Sequence, residues 1–200
     1  LISKCVKHAF NEMNKQALIP NVKYFDENTV VIHLRCGDIP FIRDKLYNLS
    51  RYHFFIDAIE HCRKQVNVDI TKLVIVHGAR PRNKTENIVA CEGYVKNMTQ
   101  YIMEICGINE FERVSCSESE DFFTLCNASN LIIGGHSSFA MLAGVANEFG
   151  NVYANTSCYA DFNHSSQIHP RWHWIESNIL EHSRVENYYD VDKVSCLLQE

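Results

Sequence analysis

The sequence predicts an α/β protein built on a doubly wound parallel sheet, Rossmann-like in plan. Two short runs, residues 29–35 and 71–77, are apolar on both faces, as strands buried inside a parallel sheet are. Segments with helical apolar spacing alternate with runs of this kind along the chain. The residues best suited to chemistry fall where the runs end, which is where doubly wound folds bind ligands.

In chain order, Ile2, Cys5, Val6, Ala9, Phe10 and Met13 keep the i, i+3, i+4 rule and predict a helix that stops before Pro20. The strand at 29–35 follows. Residues 51–66 are helical, with Phe54, Phe55, Ala58, Ile59 and Cys62 on one face. After the strand at 71–77 come a helix from about 92 to 106 and a strand at 111–115. A helix from 118 is opened by Ser117 as its cap, and a strand spans 130–133. A helix at 138–148 and a strand at 151–154 complete the alternation. Residues 161–174 lack a period and carry Pro170, which reads as a loop, and 175–200 reads as helical. The whole, 1–200, reads as one domain, with its core sheet at about 29–155 and a loop and carboxyl-terminal helical segment at 156–200.

Of the 200 residues 46% are hydrophobic and 22% charged, with 8 Gly and 4 Pro, which is ordinary globular usage. A chain of this length buries roughly 70% of its extended surface, so its core requires neither disulfides nor a structural metal. A net charge of −5 disfavours nucleic acid as a partner and leaves a small anionic ligand open. The 9 cysteines are an odd number without a C-x-x-C and read as buried reduced thiols of a cytoplasmic protein. N-x-[ST] sequons at Asn48, Asn83, Asn97, Asn127, Asn155 and Asn163 are the competing sign, for a secretory-pathway lumen. Asn127 falls in an expected buried helix, which favours chance. The uncharged stretch 122–147 is interrupted by Asn127, Asn130, Gly134, Gly135 and His136, so no membrane span is expected. The amino end has neither an initiator Met nor a signal-peptide pattern, which suggests a domain cut from something longer.

The first strand ends in His33-Leu-Arg-Cys-Gly-Asp38, placing His33 and Arg35 on one face and Gly37 at a turn. A guanidinium at the mouth of a buried strand must be compensated, and a phosphate offers fork-matched oxygens. Pairing of Arg35 with Asp38 or Glu120 is the plainer alternative. Gly134-Gly-His-Ser-Ser138 lies between a strand and a helix, so free N–H groups and two hydroxyls meet at one turn. A serine cap that binds nothing explains the same residues. Neither G-x-G-x-x-G nor G-x-x-x-x-G-K-[ST] is present, which disfavours nicotinamide and P-loop chemistry.

The turn also partly matches the G-x-S-x-G elbow of serine hydrolases, with Asp161 and then His164, His169 and His173 downstream, but Phe139 stands where the last Gly belongs. Those four residues read as surface groups in preference to a metal cluster. Asp121 opens a helix as a ligand or as a complement to the helix dipole. His77 ends the second strand, and Arg80 and Arg82 follow it within reach of the same crevice, or form a solvated basic loop. Trp172 and Trp174 are a stacking wall or core packing.

With these residues in view, V-I-H-L-R-C-G-D resembles the H-x-R-x-G-D motif of the fucosyltransferase superfamily, which groups α1,2-, α1,6- and protein O-fucosyltransferases. The stretch from Asp121 through Gly134-Gly-His-Ser-Ser-Phe139 resembles the later motif of the bacterial α1,2 branch, in the same order and at a similar separation. Similar domains occur within multi-domain glycosyltransferases of large algal viruses. The resemblance spans about 29–155 and implies the donor-binding half of a GT-B fold, with an acceptor-side domain upstream. It implies inverting, metal-independent transfer of a deoxyhexose, fucose or rhamnose, from a nucleoside diphosphate sugar to a hydroxyl of a glycan or glycoprotein. A GDP-sugar is favoured over a UDP-sugar and no further cofactor is implied.

Carried over by position, His33 lies near the base or ribose and Arg35 grips the diphosphate. Asp121 holds the nucleoside, while Ser137, Ser138 and Phe139 line the phosphate and base pocket. Gly37, His77, Arg80 and His136 complete the donor site, and Asp38 is a candidate general base or a turn cap. Where the α1,2 branch has a second basic residue this sequence has Cys36, and His77-Gly-Ala-Arg80 replaces an acidic turn. A non-catalytic domain that binds nucleotide sugars or glycans is the alternative from another class.

Overall fold

The computed structural model describes residues 2–15, 22–36, 41, 49–77, 84–159 and 171–200. Gly37, Asp38, Arg80, Arg82, Asp161, His164 and His169 lie outside them, as do Asn48, Asn83 and Asn163.

Six strands form one parallel sheet: β1 (Thr29–Leu34), β3 (Lys72–Val76), β4 (Glu110–Val114), β5 (Asn130–Gly134), β6 (Asn151–Asn155) and β7 (Trp172–Ile175), in the spatial order β4-β3-β1-β5-β6-β7. This is the doubly wound Rossmann-like arrangement that the two-faced apolar runs predict. The helices are α1 (Ile2–Lys15), α2 (Tyr52–Val66), α3 (Thr85–Cys106), α4 (Glu118–Cys126), α5 (Ser138–Ala146) and α6 (Val191–Gln199). A short antiparallel pair, β2 (Leu49–Ser50) with β8 (Ile179–Leu180), stands apart from the main sheet.

The alternating side chains of β1 explain the layering. Val30, Ile32 and Leu34 meet Phe54, Phe55 and Ile59 of α2 and Tyr94, Met98 and Ile102 of α3 on one face. Val31 belongs to the opposite cluster, with Leu125 of α4 and Ala140 and Ala143 of α5. Burying each such large side chain is worth roughly 1.5–3 kcal/mol, which is why a strand that is apolar on both faces goes to the centre. Since β1 connects to β3 on one side and the chain crosses from β4 to β5 on the other, β1 and β5 flank the point where strand order reverses.

Four expectations need correction. Helix α3 begins at Thr85, ahead of the expected residue 92, because Ala90 and Cys91 extend the buried face of Tyr94 and Val95. Residues 172–175 form β7 instead of loop. Trp172 and Ile175 are buried on opposite faces, a two-sided aromatic strand without a β-branched run to announce it. The segment after 175 has a single 3₁₀ turn at His182–Arg184 and becomes α-helical only at α6, where Asp190 accepts the Lys193 N–H at 3.3 Å as the cap. Finally, Cys36 and Cys91 are joined as a disulfide with Cα atoms 5.7 Å apart, where reduced thiols were expected. Cys62, Cys106 and Cys158 are buried free thiols, whereas Cys5, Cys116 and Cys196 are exposed.

The carboxyl-terminal segment lies across α2 and α3. Tyr52 Oη donates to Ser195 Oγ at 3.2 Å and Asn97 Nδ2 to the same oxygen at 3.0 Å. Phe41 stacks on Tyr189 with ring centroids 4.8 Å apart. Among the described sequons, Asn155 is fully buried and Asn127 donates its amide to Phe123 O at 2.6 Å. Among the described residues no helix is long and apolar enough to cross a membrane.

Candidate functional site at the carboxyl ends of β1 and β5

The last ladder pair between β1 and β5 joins Leu34 to Gly134, so Arg35 leaves one strand beside the turn that ends the other. Gly134 is required there. A Cβ on it would stand 2.8 Å from Phe55 Cε1 and 3.0 Å from the His33 carbonyl. Gly135 then takes φ = 100°, which side-chain-bearing residues rarely adopt.

The turn is held by a residue that sequence reasoning missed. Tyr159, past the end of β6, accepts the Ser137 N–H at 2.9 Å through its hydroxyl and donates to the Gly135 carbonyl at 2.7 Å. Its ring also lies 5.4 Å from that of His136. Burial raises the Tyr159 phenol well above its ordinary range, while the Ser137 amide and the nearby Arg35 charge pull the other way. The rule that ligands sit at strand ends covers the end of β6, but nothing in a lone Tyr announces a bond to a turn two dozen residues earlier.

One expected donor is therefore already engaged. The Ser137 amide binds Tyr159, while Ser137 Oγ caps α5 by accepting the Ala140 N–H at 3.2 Å, which does not use its O–H. What the turn offers an anion is the start of α5 at Ser138 and Phe139, where a helix has no intrahelical partners for its N–H groups, together with the exposed Ser138. Ser137, the residue an esterase elbow would use as nucleophile, has its hydroxyl oxygen turned to the α5 cap and is itself buried. His173 lies in the middle of β7, half-buried instead of on the surface, stacked on Tyr153 at 4.9 Å and 5.1 Å from the His61 ring. Trp172 belongs to the core against Gly144, which favours packing over a stacking wall.

His33 is 8% exposed and its ring is 5.6 Å from Phe139, which in turn is 5.4 Å from Phe122 of α4. Burial, then His77, then Arg35, lower its pKa from 6.5 to about 3, so it is a neutral imidazole. Its buried Nδ1 has no hydrogen-bond partner among the described residues. Arg35 is half-buried, with its charge felt at both His33 and Tyr159. The structure thus brings His33, Arg35, His136, Ser137, Ser138 and Phe139 together around one turn.

His77 and Asp121 stand differently. His77 is fully buried at the end of β3, 3.7 Å from Glu92 Oε1 and 3.9 Å from Cys91 Sγ. Its pKa is lowered by burial and then by Arg113, with Glu92 opposing. Asp121 is 6% exposed and accepts the Cys116 N–H at 3.0 Å, tying the chain after β4 to α4. Burial raises its pKa, the Cys116 amide lowers it and Glu120 raises it again. Glu120 closes a capping box, its carboxylate accepting the Ser117 N–H at 2.9 Å and its own N–H binding Ser117 Oγ at 3.3 Å. Asp121 reaches the cluster through its neighbour Phe122.

Among the described residues no group of three or more His, Cys, Asp and Glu side chains is placed to hold a metal ion. A groove of about 660 Å³ runs along α3 and the edge strand β4, lined by Val95, Lys96, Met103, Phe111 and Arg113, on a different part of the surface. Neither family models, nor curated proteins, nor solved structures give a match to this chain.

Proposed function

We propose that the site binds the diphosphate of a nucleoside diphosphate sugar and that the protein is a glycosyltransferase of the fucosyltransferase type. The observation that carries the reading is the position of Arg35, at the carboxyl end of β1 where strand order reverses, beside the β5–α5 turn. A guanidinium and a helix start converge there from separate elements, and both favour an anion.

The chemistry follows from charge. When the bond between the sugar and the diphosphate breaks, negative charge grows on the leaving β-phosphate. A guanidinium already in place stabilises that charge more in the transition state than in the ground state. In this reading Arg35 and the amides at the start of α5 fill the cationic role, so transfer proceeds without a metal. The neutral His33 ring beside Phe139 gives a base or ribose a flat apolar neighbour. The sugar is a deoxyhexose, fucose before rhamnose, and the acceptor is a hydroxyl of a glycan or glycoprotein contributed with an acceptor-side domain. Asp38 is the candidate base on this chain.

A thermal-shift titration with GDP, UDP, dTDP and their fucose and rhamnose conjugates, in EDTA and then in magnesium, tests the reading without an acceptor. The expected result is metal-independent stabilisation by one nucleotide series, absent in Arg35→Ala. No shift with any of them overturns it.

A further inference from the structure

Cys36 lies two residues past the last ladder pair of β1, Leu34 with Gly134, and is bonded to Cys91 inside α3. Arg35 is therefore bracketed, with the sheet behind it and the disulfide ahead. Cys36 is 5% exposed and Cys91 fully buried. The His77 ring lies 3.9 Å from Cys91 Sγ and 3.7 Å from Glu92 Oε1, and Glu92 is fork-paired with Arg113. A neutral imidazole beside a sulfur offers an N–H to a departing thiolate, which marks Cys91 as the leaving sulfur of the pair. The free thiols of Cys62, Cys106 and Cys158 contrast with it, each pushed up to about 11 by burial.

We infer that Cys36–Cys91 is a thiol–disulfide modification site for a dithiol reductant, and that its state controls how firmly Arg35 is presented to an anion. The regulatory part rests on the nucleotide-sugar reading of the site. The reductant's thiolate attacks Cys36 Sγ, on the residue of the pair that is not fully buried. The disulfide bond breaks, and Cys91 leaves as a thiolate that takes a proton from water. The reductant's second thiolate then attacks its own sulfur in the mixed disulfide, and Cys36 leaves and takes a proton. Two electrons and two protons pass to the protein, and the dithiol ends as its own disulfide. With the bond gone, Arg35 and Cys36 keep packing but lose the covalent restraint beyond the ladder.

The full chain is prepared without reductant and again after dithiothreitol, alongside Cys36→Ser and Cys91→Ser. Thiol titration under denaturing conditions should find seven free thiols before reduction and nine after. Amide exchange at Arg35 and Cys36 should accelerate about 10-fold or more on reduction, and GDP affinity should fall about fivefold or more. Both variants should show eight free thiols, sit at the reduced values of exchange and affinity, and ignore dithiothreitol. If Cys91→Ser fails to fold, Cys36→Ser alone decides.

Nine thiols in the protein made without reductant, or unchanged exchange after reduction, overturns the inference. Equal GDP affinity in both states overturns the regulatory part while the nucleotide-sugar reading stands. If no nucleotide binds in either state, that reading fails, and thiol count and exchange still decide whether the modification site exists.

Discussion

The Tyr159 hydroxyl lies 2.9 Å from the amide nitrogen of Ser137, so a side chain beyond β6 sets the conformation of the turn that ends β5. With Gly135 O 2.7 Å from the same oxygen, one phenol satisfies a donor and an acceptor of a buried turn. Tyr159→Phe keeps the ring and strands both groups, which costs about 1–3 kcal/mol in a urea unfolding midpoint. It should also weaken nucleotide binding, because the start of α5 loses its fixed position. A loss under about 0.5 kcal/mol would mean the turn finds other partners.

Arg35→Ala should reduce nucleotide affinity about 10- to 100-fold, the worth of a charge-assisted hydrogen bond, while the melting temperature without ligand stays near wild type. Arg35→Lys should recover only part of the affinity, because an ammonium cannot make the two-pronged contact. Calorimetric titration with GDP measures both. Full affinity in Arg35→Ala would remove this residue from the site.

Stability should fall on acidification. The His33 pKa is lowered from 6.5 to about 3 in the folded protein, so between those values the unfolded chain binds the extra proton. The stability this residue contributes is present above 6.5 and is lost as pH drops toward 3. The limiting slope is about 1.4 kcal/mol per pH unit for such a group. His77, also lowered, adds to the same trend. Urea midpoints at pH 7, 6 and 5 read the slope, and His33→Gln should flatten it. An unchanged slope in that variant would show that His33 is solvated.

Asp121 separates a structural role from a binding role. Burial raises its pKa above 3.8, so ionising it costs more in the folded chain than in the unfolded one, and stability linked to it grows as pH falls. Asp121→Asn preserves an acceptor for the Cys116 amide and should be neutral or slightly stabilising at pH 7. Asp121→Ala should cost about 1–3 kcal/mol by stranding that amide. If Asp121 also holds the nucleoside, the Asn variant keeps its stability and loses GDP affinity; unchanged affinity confines the residue to the cap region.

Most of the sheet was legible because a parallel strand covered on both faces has few polar positions. Val30-Val-Ile and Leu73-Val-Ile-Val76 are runs of strand length rich in β-branched residues, which decides for strand over buried helix. Strand β7 was not, since Trp172-His-Trp-Ile owes its place to core contacts made by two tryptophans, which local pattern does not encode. At the site, Arg35 and the Gly134–Ser138 turn were visible because strand ends and helix starts are local features. Tyr159 and the Cys36–Cys91 bond were not. Each depends on two segments meeting, and the residues involved are ordinary one at a time.

Helix α6 closes the face formed by α2 and α3, and Tyr52 finds its hydrogen-bond partner Ser195 143 positions further along the chain. During synthesis the apolar surface of α2, including Tyr52, therefore stays open long after its own residues have been made. The sheet can assemble strand by strand as the polypeptide emerges, but that face is sealed only once Val194 and Leu198 are in place. A ribosome-stalled intermediate ending before residue 191 would display this uncovered face to chaperones and to other nascent chains. For this protein the rate at which α6 is delivered sets how long that face is at risk of aggregation.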